Sequence, residues 1–72
     1  MRRYTKEDVT AAYFAVIAAH RAAQHKQRAV DSAPRATAPY RAAVADYRAA
    51  CAELATLKDA YTAMLRANVV AA

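Results

Sequence analysis

The residues able to do chemistry are few and scattered. His20 and His25 stand five residues apart, which on a helix puts them on different faces; a spacing of four would bring both imidazoles to one metal ion. Cys51 is the only cysteine, so neither an intrachain disulfide framework nor a cysteine-based zinc module can form. Glu53 has no carboxylate neighbour, and Glu7 and Asp8 suit the positive end of a helix dipole better than acid–base work. No Ser/His/Asp or Cys/His set can be assembled at any helical spacing. Glycine is absent altogether, which removes the phosphate loops that need close backbone approach. The expectation is a chain with no catalytic residue, no metal, no cofactor and no small-molecule substrate.

What the chain does carry is positive charge. Eleven Lys+Arg stand against six Asp+Glu, a formal net charge of +5. That balance favours a protein with an acidic surface, or nucleic acid held through its phosphates. Phe14, Ala18, Arg21, His25 and Arg28 recur at spacings of 4, 3, 4 and 3, so they share one helical face that begins with an aromatic and ends in a basic ladder. Lys26, Arg35, Arg41 and Arg48 lie towards the same end of the chain's fold. These eight, Ala18 apart, are the candidate partner-binding residues. No oppositely charged i,i+4 pair occurs on either predicted helix, which leaves the arginines free for contacts beyond their own helix.

Two helices must position this face. Thr5 caps the first, with Asp8 three residues on, and Val9, Tyr13, Val16, His20, Ala23, Gln27 and Val30 form a heptad seam that Ile17 widens. Lys26 and Arg28 are expected to suit the negative end of its dipole. The helix is predicted over about 6–31, and a connection over 32–38 holds Pro34 in its middle, with Pro39 just beyond. The second helix, about 39–69, carries Tyr40, Val44, Tyr47, Cys51 and Leu54, then a three-residue step to Leu57, Tyr61 and Met64, with Leu65 alongside. That step is expected to overwind the seam locally.

Of 42 hydrophobic residues 23 are alanine, so only 19 larger apolar side chains are available for a core. Two helices meeting along one line bury too little to offset the entropy of ordering the chain. The fold class expected is all-α: a single antiparallel, coiled-coil-like hairpin over 1–72 that dimerises into a four-helix bundle. The apolar run from Val9 to Ala19 is too short to span a membrane, and Lys6, Glu7 and Asp8 precede it, so a cytoplasmic chain is expected. The function expected is non-enzymatic. The chain would bind and modulate another macromolecule as an adaptor or inhibitor, of the kind phages and mobile elements direct against a host system. A basic nucleic-acid-binding regulator is the first alternative, and a structural subunit of a larger assembly the second.

Overall fold

The computed structural model describes residues 4–71, with side chains as far as Asn68. It contains two helices, α1 (Lys6–Ser32) and α2 (Ala38–Ala71), packed on one another as an all-α hairpin. Its dimensions are 53 × 15 × 12 Å, and its radius of gyration is 16.3 Å. A compact chain of this length would measure about 11 Å. The molecule is a rod two helices wide.

Local chemistry accounts for both ends of the rod. At the start of α1 the Thr5 hydroxyl accepts from the Asp8 N–H at 3.1 Å while the Asp8 carboxylate accepts from the Thr5 N–H at 3.1 Å, satisfying two orphan donors at once. The open end is clasped by Asn68: its Oδ1 accepts from the Tyr4 N–H at 3.1 Å and its Nδ2 donates to the Tyr4 carbonyl at 3.2 Å. At the closed end Thr37 caps α2, accepting from the Tyr40 N–H at 3.2 Å and donating to the Pro34 carbonyl at 2.6 Å. Just before it Ala36 adopts φ 65°, the left-handed region where a β-carbon costs about 1–2 kcal/mol. The connection is shorter than expected, residues 33–37, because each helix runs one residue further into it. The last turn of α1 holds no basic residue, contrary to expectation, since Arg28 falls just short of it and the dipole's influence fades within a turn. Its carbonyls are met instead by the Ala33 N–H, which donates to Ala29 and Val30.

The seam differs from the expected one. In α1 and its C-cap Ala33 the positions withdrawn from solvent along the contact line are Val9, Ala12, Val16, Ala19, Ala23, Lys26, Val30 and Ala33, an unbroken alternation of three and four. Tyr13, His20 and Gln27, placed in the seam by the bulk of their neighbours, are exposed. In α2 the line runs Tyr40, Ala43, Tyr47, Ala50, Leu54, Leu57, Tyr61, Met64 and Asn68, again without a break. The expected step between Leu54 and Leu57 is thus an ordinary turn of the heptad, and no overwinding is required. Alanine takes half of the α1 line, and Ala43 and Ala50 alternate with tyrosine at the start of the α2 line; alanine's small side chain lets two helices approach closely. Among the described residues only Ala23, 6% exposed, is fully buried.

Two stability measurements check this packing. Ala36→Gly should raise stability by about 0.5–1 kcal/mol in urea unfolding, because glycine relieves the left-handed strain but loses more freedom on folding. Leu54→Ala and Leu57→Ala should each cost about 1–2 kcal/mol, less than a fully buried leucine, because both are half-buried. A loss of stability in the glycine variant would contradict the geometry of the connection.

Candidate interaction surface

With Val9, Val16, Ala23 and Val30 facing α2, the residues opposite them on α1 are Phe14, Arg21 and Arg28, seven apart and all exposed. They form the outermost row of α1. Phe14 is 61% exposed, the most exposed large hydrophobic among the described residues, and its ring meets that of Tyr13 edge-on at 5.8 Å. Tyr13 in turn lies 5.9 Å from Tyr61 across the interhelical boundary.

The fold brings only some of the expected basic residues together. His25, Arg35, Arg41 and Arg48 are exposed, but Arg41 and Arg48 lie on α2 and His25 lies off the Phe14 row, so the basic residues wrap the closed end and do not line one face. Lys26 is half-buried on the contact line and leaves the candidate surface. Its long aliphatic stem suits that place, because the stem can cover apolar surface while the ammonium reaches water.

Charge is divided along the rod. Tyr4 pairs with Asn68 and Tyr13 with Tyr61, so residues 21–52 make up the closed half. That half holds six basic and two acidic side chains, while residues 4–20 and 53–71 hold three basic and four acidic. The signal for this division in the sequence is the clustering of basic residues on either side of Pro34 and Pro39.

The remaining expected seam residues separate in two. Val9, Val16, Ile17, Val44, Tyr47, Cys51, Leu54, Leu57 and Tyr61 are half-buried. Tyr13 at 47% and Leu65 at 40% stay exposed in the hairpin. The Tyr47 phenol is held above its ordinary value of 10.0, chiefly by hydrogen bonding to the Cys51 thiol one turn on, then by the charge that thiol acquires.

Among the described residues the surface depressions include three. The largest, about 500 Å³, is an apolar groove between the helices near the open end, lined by Tyr4, Asp8, Ala11, Ala12, Leu57, Ala60 and Met64. A second of about 430 Å³ lies between Lys6, Glu7, Thr10, Ala11 and Phe14, and a third of about 190 Å³ lies beside the connection at Asp31, Arg35 and Tyr40. None of the three is lined by a histidine or cysteine. Among the described residues no group of three His, Cys, Asp or Glu is placed to hold a metal ion, and no helix is long and apolar enough to cross a membrane.

No protein-family model matches the chain, and comparisons with curated proteins and with solved structures also give no match. The surface must therefore be read from its own chemistry.

Because the outer row makes no contact with α2, Arg21→Ala and Arg28→Ala should each change the free energy of unfolding by no more than about 0.5 kcal/mol in urea titrations. A loss as large as that of Leu54→Ala would show that these side chains hold the fold together.

Proposed function

We propose that this chain is a non-enzymatic interaction protein, of adaptor or inhibitor type, that binds the acidic surface of another protein through the outer row of α1. One observation carries this reading: Phe14, 61% exposed, heads a straight row continued by Arg21 and Arg28. An aromatic anchor flanked by arginines is the composition that dominates binding energy at protein interfaces. The basic closed half draws an acidic partner in and speeds encounter, and Phe14 then seats in an apolar pocket on it.

The six basic side chains of residues 21–52 also favour a second reading, contact with nucleic acid through phosphates. The two readings differ in what Phe14 does. With a protein partner isolated from the native host, Arg21→Glu/Arg28→Glu should mainly slow association, and Phe14→Ala should speed dissociation about tenfold or more. With nucleic acid, log affinity should fall with log salt at about −0.9 per phosphate contacted, and Phe14→Ala should leave it unchanged. Binding kinetics of the chain and both variants at two salt concentrations separate these cases. Wild-type binding by every variant would remove the row from function.

A further inference from the structure

The side of the rod next to the Phe14 row carries a different surface. Tyr13 and Ile17 stand one turn apart on α1, and Tyr61 and Leu65 one turn apart on α2. The Tyr13–Tyr61 ring contact at 5.9 Å joins the two pairs into one patch across both helices, within the open half. Tyr13 and Leu65 are 47% and 40% exposed in the hairpin. The patch borders the contact line, on which Tyr61 itself lies, and its outer side chains Tyr13 and Leu65 stay open to solvent.

We propose that a second copy of this chain covers this patch, giving a two-fold antiparallel dimer whose open halves overlap and whose closed ends point apart. Three observations fix the occupant and the arrangement. The first is area: a folded chain of 7.8 kDa ordinarily exposes about 4,400 Å², whereas this one exposes 5592 Å². The excess of about 1,200 Å² is more than the roughly 800 Å² that each partner buries in a standard interface and falls in the range of about 1,000–2,500 Å² per partner of obligate homodimers, so one further copy docked over an extended face can cover it. The second is composition. In the open half each helix carries apolar side chains beside those that close the hairpin, Tyr13 and Ile17 on α1 and Leu65 on α2, which is the two-sided pattern of a helix in a four-helix bundle. The third is charge. The open half is close to neutral, so two copies meet there without repulsion, while the closed halves, six basic against two acidic, repel one another and set the direction.

This dimer leaves the outer row of α1 free on both copies, and it stands or falls independently of the partner proposed above. Sedimentation velocity at micromolar concentration should give twice the chain mass of 7.8 kDa. Ile17→Lys/Leu65→Lys should give the single-chain mass, whereas Arg21→Glu/Arg28→Glu should remain dimeric even if it loses every other partner. Should the lysine pair also lose its helical circular dichroism, the wild-type arrangement decides. With Cys51→Ser as background, donor and acceptor dyes attached at Thr10→Cys should transfer energy between copies, and dyes at Ala36→Cys should transfer far less. A folded wild-type monomer, a dimeric lysine variant, or stronger transfer at position 36 than at position 10 would each overturn the proposal.

Discussion

Two helices touch along a line, and a line has few positions that are closed on all sides. In this chain every structural choice follows from that shortage. Ala23 alone is withdrawn fully from water among the described residues, so the interior consists of half-buried side chains at the edge of solvent. Such a contact gains little from any one residue and depends on length: 27 residues of α1 lie against 34 of α2. The ends therefore matter more than in a globular domain. The Thr5–Asp8 capping box, the Thr37 cap and the Asn68 clasp on Tyr4 hold the places where so long and thin a hairpin would fray first.

The alanine line determines what the other faces can be. Once Ala12, Ala19 and Ala23 sit against Ala43 and Ala50's helix, the larger side chains beside them are displaced outward. Tyr13, Ile17 and Leu65 then flank the contact line, with Tyr13 meeting Tyr61 at its edge, and Phe14, Arg21 and Arg28 fall on the far side. α1 thus offers three kinds of surface: one small and closed, one apolar and open, one aromatic and basic. A second copy on the apolar surface and a macromolecular partner on the outer row need no common residue. A dimer built this way presents two outer rows, and a partner with two sites would gain by engaging both.

Much of this was legible in the sequence because it rests on local chemistry. Thr5 with Asp8 marks one helix start, and Pro34 with Pro39 marks the turn, since both act through adjacent backbone and need no tertiary information. The contact line was not legible, for a physical reason. Val9, Val16, Ala23 and Val30 belong equally to two overlapping heptads, one completed by Tyr13, His20 and Gln27 and the other by Ala12, Ala19 and Lys26. Weighing side chains by bulk selects the first; close approach of the helices selects the second. The rejected heptad still describes something real about the chain, because Tyr13 meets Tyr61 at the edge of the contact and yet stays 47% exposed. Lys26 misled for the complementary reason, its charge marking it as surface although its stem lies on the contact line. The left-handed conformation of Ala36 had no signal at all, as alanine is not a residue that marks such a turn.

The central claim is that the hairpin's own contact is too thin and that a second copy completes the fold. Thermal unfolding followed by circular dichroism across a hundredfold range of chain concentration tests it most directly, because a folded dimer that melts to unfolded chains gains stability by mass action. The account predicts a midpoint that climbs steadily with concentration. A cooperative transition at one temperature throughout that range would show that two helices suffice, and would contradict it.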